Sequence, residues 1–355
     1  MNKSTNKVRV LVVGLGNMGL SHALAYHHND GYEIVALVNR SERDLPADLQ
    51  GYEFEKSYPA ALEKYKPDLV SINTYSDTHA DYAIAAMEAG CDVFVEKPLA
   101  NTVAEAQKVV SVAKKLGRKL VVGYILRHHP SWITFVDKAR ELGGPFVFRL
   151  NLNQQSSGDT WKTHKRLMET TSPIVDCGVH YVDVMCQIAN SDPVSVRGIG
   201  LRLSDEIADD MYNYGHFQVT FKDGSIGWYE AGWGPMMSQT AFFVKDVISP
   251  NGSVSIVVSD DMQSDDIDNH TKASTIRIHD SETDAQGEFV KSEDTLLSTN
   301  ADISHDELCV LEQQFVLDAI RNDVDLTEHM ENAVKSLAVC LAADESIRTN
   351  QEITF

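Results

Sequence analysis

The sequence predicts an α/β protein in two parts: an N-terminal domain built on a parallel sheet, then an α/β domain with a large, mostly antiparallel sheet. Three observations carry this. An apolar strand, Val8 to Val13, runs straight into a glycine-rich turn. Short apolar strands then alternate with helical stretches as far as Val122, the pattern of βαβ units. From Gly144 the texture changes to alternating, β-rich sequence. At 355 residues the chain is long enough for two domains with well-formed cores.

The glycine-rich turn is Gly14, Gly16 and Gly19, spaced G-x-G-x-x-G with Asn17 and Met18 between them. Gly14 suits a tight turn, Gly16 lets the backbone approach a pyrophosphate, and Gly19 lets the following helix pack close. That helix, from Ser21 to His28, offers free N–H groups and a positive dipole end to phosphates. Placed between a strand and a helix, the motif predicts dinucleotide binding. The second strand, Glu33 to Val38, delivers Asn39 and Arg40 where an acid usually holds the ribose hydroxyls. An amide does not repel a 2′-phosphate and Arg40 suits one, so the cofactor is NAD(P), leaning to NADP.

Next come a helix from Tyr58 to Tyr65 and a strand from Leu69 to Asn73. Thr74 to His79 then leaves the strand's carboxyl edge, where ligands of such sheets collect. A helix near Ala80 to Ala89 and a strand from Asp92 to Val95 lead into Glu96-Lys97-Pro98. A lysine there can bind a substrate hydroxyl or stabilise an alkoxide. Thr102 to Leu116 reads as an amphipathic helix and Lys119 to Val122 as the last strand. Tyr124 and Arg127 then fall near the same crevice. The boundary is expected near 125, giving domains 1–125 and 126–355. In the second, Ile174 to Ile188 reads as a helix with Asp176 and His180 four apart on one face. Trp161, Lys162 and His164, in a polar loop before it, are candidates for sugar contacts. Helices from Glu307 to Asn322 and Met330 to Thr349 close the chain.

Composition narrows the partners. A net charge of −21 argues against nucleic acid. Half of it lies in the acidic segment Ser259 to Glu307, read as a solvated surface; Asp265, Asp266 and Asp268 lack the rest of a calcium-loop pattern. No apolar run reaches the ~18 residues of a membrane helix, and the N-terminus carries no signal-peptide pattern. Five cysteines without C-x-x-C spacing suggest a reduced, cytoplasmic protein with neither disulfides nor zinc. No metal is expected: His128 and His129 lack further ligands at suitable spacing.

Lys97, Asp176 and His180 make chemical sense together. Oxidising a secondary alcohol needs a base for the hydroxyl proton, which histidine supplies, and a cation for the alkoxide-like transition state. G-L-G-N-M-G at Gly14 to Gly19, E-K-P at Glu96 to Pro98, and D-x-G-x-H-x-x-D at Asp176 to Asp183 resemble the Gfo/Idh/MocA family (glucose–fructose oxidoreductase and inositol dehydrogenase). The order and spacing match over nearly the whole chain. The resemblance implies a Rossmann domain followed by an α/β domain with an open sheet, whose exposed face joins subunits into a homodimer or homotetramer. It implies that Lys97, Asp176 and His180 are catalytic, acting on a sugar, inositol or related polyol. The cofactor contacts expected are the glycine turn, Asn39 and Arg40, Thr74, Tyr75 and His79, and Glu96 and Lys97. Substrate contacts are Tyr124, Arg127, Trp161, Lys162, Asp176 and His180. Tyr75 departs from the proline usual in the family's T-P-x-x-x-H loop, and Asn39 from the acid of NAD-using members. An NAD-dependent glycosidase and a non-catalytic dinucleotide-binding regulator are the alternatives.

Overall fold

The computed structural model describes residues 7–240, 242–257, 274–299 and 303–355. The elements run β1 (Val8–Val13), α1 (Asn17–His27), β2 (Tyr32–Val38), β3 (Phe54–Glu55), α2 (Tyr58–Tyr65), β4 (Leu69–Ile72), α3 (His79–Glu88), β5 (Asp92–Val95), α4 (Val103–Leu116) and β6 (Leu120–Val122). They continue with α5 (Pro130–Leu142), β7 (Val147–Gln155), α6 (Gly158–Leu167), α7 (Pro173–Ala189), β8 (Pro193–Leu201), β9 (Tyr214–Phe221) and β10 (Ile226–Gly234). The last are β11 (Lys245–Ser249), β12 (Gly252–Val257), β13 (Thr275–Asp280), β14 (Thr295–Ser298), α8 (His305–Arg321), α9 (Thr327–Thr349) and β15 (Ile353–Thr354).

The chain forms two compact units, 1–128 with 305–334, and 129–304 with 335–355. This differs from the expected single second domain running from 126 to the end. Helix periodicity shows that a helix has an apolar face, not which core receives it. Helix α8 carries Gln313, which accepts a hydrogen bond from the Tyr26 hydroxyl of α1 at 2.7 Å, so it packs in the first unit.

The first unit holds a six-stranded sheet in the order β3-β2-β1-β4-β5-β6, parallel throughout. Strands β1, β4 and β6 are buried almost end to end, which is why they read as continuous apolar runs. Helix α4 begins with a capping box: Thr102 Oγ1 accepts from the Glu105 amide at 3.2 Å, and Glu105 accepts from the Thr102 amide at 3.1 Å. The edge strand β6 is covered in part by α9, whose His329 accepts the Val122 N–H at 2.8 Å.

The second unit is a nine-stranded sheet in the order β14-β13-β12-β11-β7-β10-β9-β8-β15. Every pair is antiparallel except β7 with β10. Helix α7 starts on Ser172, whose hydroxyl accepts from the Val175 amide, with Pro173 in the first helical position. Val194, Ile199, Leu201, Ile226, Ile248 and Leu296 stay exposed on the strands. Part of the acidic segment lies outside the described residues, including Asp265, Asp266 and Asp268.

Candidate active site

The first unit gathers its chemistry at the carboxyl ends of β1, β4 and β5. At Gly14, with φ +87°, a Cβ would stand 2.5 Å from the Asn73 carbonyl oxygen; at Gly19 it would stand 2.0 Å from the Gly14 carbonyl oxygen. The turn therefore closes only with glycine at both positions. Around Gly16 a Cβ would meet nothing within 4 Å, and this residue caps α1 without a side-chain bond. Open space above an uncapped helix N-terminus is what a pyrophosphate needs, so Gly14, Gly16, Asn17, Met18 and Gly19 fit a dinucleotide.

Beyond β2, Asn39 accepts from the Leu15 amide at 3.3 Å and donates to the Ser41 carbonyl at 2.7 Å. Arg40 is exposed. A residue that carries no signal in the sequence also reaches this turn: the Arg43 guanidinium donates to the Leu15 carbonyl.

At the other end of the crevice, the Thr74 and Thr78 hydroxyls lie 2.6 Å apart and Tyr75 is 53% exposed. The buried His79 bridges two backbone carbonyls, with Nδ1 2.7 Å from Pro98 O and Nε2 3.0 Å from Thr74 O. Burial pushes its pKa down. Lys97 is half-buried, between Glu96 and a Pro98 that follows a cis peptide. Tyr124 is buried and Arg127 half-buried in the same unit. His128 is held neutral by burial, its pKa lowered to about 3.

In the second unit, α7 is buried along nearly its whole length. Asp176 and His180, one turn apart, interrupt that pattern as half-buried residues. The stretch read as a polar loop before it is the ten-residue helix α6, polar on most of its surface, with Trp161 and His164 buried one turn apart. Its Trp161 is buried, with the indole N–H donating to Glu206 at 3.2 Å, while Lys162 is exposed and paired with Asp159 at 2.7 Å. His164 stacks flat on Trp233 at 4.4 Å and meets Ser156 Oγ at 3.0 Å through Nδ1. Burial lowers its pKa to about 4, opposed by the Asp176 carboxylate. An open pocket of about 370 Å³ beside α6 is lined by Lys162, Lys165, Arg166, Met168, Glu206 and Ile207. His129 serves as a helix cap, its Nδ1 accepting from the Ser131 amide at 3.1 Å.

Residues 8–124 match the family described as "Oxidoreductase family, NAD-binding Rossmann fold", and residues 137–244 match the "GFO/IDH/MocA C-terminal domain". Together the two matches span well over half of the chain. The chain belongs to the Gfo/Idh/MocA oxidoreductase family. Within that family, the inositol 2-dehydrogenase of Salmonella typhimurium is 28% identical over 194 residues, 52% of this chain and 56% of that protein. The chain thus spans little more than half the length of this curated relative. The scyllo-inositol 2-dehydrogenase (NAD(+)) of Bacillus subtilis is 27% identical over 267 residues, 71% of this chain and 74% of that one. Among solved structures, the WlbA dehydrogenase from Bordetella pertussis in complex with NADH and UDP-GlcNAcA shares the fold. It has a TM-score of 0.78 and 18% identity, covering 99% of each chain. Among the described residues no helix is long and apolar enough to cross a membrane.

Proposed function

We propose that this Gfo/Idh/MocA protein is a nicotinamide-dependent dehydrogenase or reductase acting on a secondary hydroxyl of a sugar, inositol or related polyol. The observation that carries the reading is the pair Asp176 and His180, the half-buried turn of an otherwise buried helix, taken with Lys97 at the carboxyl end of β5. The names of the inositol dehydrogenase relatives support the substrate class. The nicotinamide supplies the hydride acceptor when bound. His180 takes the hydroxyl proton as the carbon–hydrogen bond breaks, Lys97 stabilises the developing alkoxide, and Asp176 orients the imidazole or grips a neighbouring hydroxyl. Tyr124, Arg127, Trp161 and Lys162 are the further residues this reading gives to substrate contacts.

At the adenine ribose, Asn39 in place of an acid, with Arg40 and Arg43 close in sequence, favours NADP over NAD. The exposed apolar residues of the nine-stranded sheet favour a homodimer or homotetramer through that face. Five buried cysteines, none of them in a disulfide, favour a reducing, cytoplasmic setting.

The test is nicotinamide absorbance with NAD or NADP and a panel of inositols, aldoses and sugar acids. Reduction with one substrate group, faster with NADP, is expected. Glycoside cleavage without net cofactor reduction would replace this reading with a glycosidase. Cofactor binding without turnover in either direction would replace it with a regulator.

A further inference from the structure

Lys97 sits in a tripeptide that is gripped from both sides by groups buried in the first unit. On the Pro98 side the grip is His79, which bridges Pro98 O and Thr74 O. On the Glu96 side it is a chain of four side chains. The Tyr26 hydroxyl donates to Gln313 Oε1 at 2.7 Å, which turns the Gln313 amide nitrogen towards His22 Nδ1 at 2.9 Å. His22 Nδ1 is therefore an acceptor, and its proton stands on Nε2. Nε2–H donates to Glu96 Oε1 at 2.7 Å, and Glu96 Oε2 accepts the backbone N–H of Lys97 at 3.1 Å. Tyr26, Gln313 and His22 are each 0–1% exposed. The site has been cleared for this carboxylate: a Cβ on Gly123 would lie 3.2 Å from it. Phe94 closes edge-on over the His22 ring at 4.7 Å.

We propose that Glu96, oriented by His22, is a positioning residue that fixes the Lys97 main chain and supplies the anion beside the Lys97 ammonium. The proposal rests on the reading that Lys97 acts on the substrate hydroxyl. It gives the Glu96 carboxylate a role inside the protein, with both oxygens engaged there. Besides His22 and Lys97, the ionisable groups that face Glu96 are Tyr26 on α1, His79 on α3, and Cys309 and Glu312 on α8. Burial pushes Tyr26, Cys309 and Glu312 up and His79 down, towards their neutral forms. Glu312 is 1% exposed, and neither of its carboxyl oxygens has a hydrogen-bond partner.

Glu96→Gln keeps the shape, removes the charge and turns an N–H towards one of two donors. The expected result is a fall in kcat of about 30-fold or more, with cofactor Kd within about threefold, because the glycine cradle is built separately. The alkaline limb of the kcat profile should also move to lower pH by about half a unit or more, since an anion next to an ammonium holds its proton. A scaffold role alone would not move that limb. Glu96→Asp, which keeps the charge, should keep the limb near its wild-type position. His22→Gln keeps an N–H donor for Glu96 and should hold kcat within about fivefold, whereas His22→Leu should not. If Glu96→Gln does not fold, this His22 pair decides: equal kcat in Gln and Leu variants overturns the proposal. In a folded Glu96→Gln protein, unchanged kcat and an unmoved limb overturn it. Should the wild type turn over none of the panel, the function proposed above fails. The positioning role is then read from the pH dependence of reductive methylation at Lys97, located by peptide mass spectrometry. A midpoint lowered in Glu96→Gln supports it, and an unchanged midpoint overturns it.

Discussion

In the first unit the buried imidazole of His22 has a fixed partner on each ring nitrogen. In the second, the amine of Lys245 is equally buried but is held differently. It meets the Asn151 carbonyl and lies over the rings of Phe243 at 4.2 Å and Tyr181 at 4.8 Å. One polar group is kept by a chain of matched donors and acceptors, the other against one carbonyl and two aromatic faces. Desolvation drives the Lys245 pKa well down, with Glu230 opposing it. His164 follows the second pattern, stacked on Trp233 and neutral. A matched chain specifies geometry to fractions of an ångström, which suits a cofactor edge.

Five substitutions break or sharpen that comparison. The largest effect belongs to His180→Asn, expected to lower kcat by about 10²–10⁴-fold while cofactor affinity, measured by fluorescence titration, stays unchanged. Loss of both together would mean that the two units do not divide chemistry from binding. Gly19→Ala strikes the opposite side. Its Cβ would fall 2.0 Å from the Gly14 carbonyl oxygen, so cofactor binding should disappear and unfolding free energy drop by about 3 kcal/mol in urea titration.

Smaller effects concern the neutral groups of the second unit. His164 has its pKa lowered to about 4, so between there and about pH 6.5 the unfolded chain binds the extra proton. Stability from neutral His164 is full above pH 6.5 and is lost as the pH falls towards 4. In His164→Gln the slope over that window should shrink by up to about 1.4 kcal/mol per pH unit, read from denaturant midpoints across pH. A slope identical to wild type would mean the imidazole is not buried neutral. Smallest in stability terms is Lys245→Met, which fills similar space without a charge to desolvate. It should stay within about 1.5 kcal/mol of wild type, whereas Lys245→Ala should lose about 2–4 kcal/mol. Below the ordinary lysine pKa the unfolded state holds the proton that folded Lys245 releases, so wild-type stability rises with pH and the Met variant should lack that contribution.

What could be read in the sequence follows from how local each signal is. The strand at Val8 to Val13 and the glycine turn are short-range patterns whose steric reasons lie within a dozen residues, and they reappear at those positions. The turn carrying Asp176 and His180 was legible because four-residue spacing is itself the geometry of a helix face. Long-range matters were not. That α8 returns to the first unit depends on Gln313 meeting Tyr26, 287 positions away in sequence. Helix α6 was hidden because it is only ten residues long and mostly polar, its buried line reduced to Trp161 and His164. Lys245 read as one more polar residue in an alternating strand, and only the folded sheet shows that it faces two aromatic rings. Arg43 stands in an irregular stretch with no period at all.

All five cysteines are buried and none is in a disulfide. Burial also raises the thiol pKa of Cys91 to about 11 and pushes Cys309 and Cys340 upward. The native protein should therefore be nearly silent to maleimide chemistry at neutral pH. That silence is an experimental asset: a single thiol introduced at the exposed Tyr75 becomes the only bright position on the surface. A fluorophore there would test, in real time and on unmodified native background, whether a dinucleotide reaches this loop.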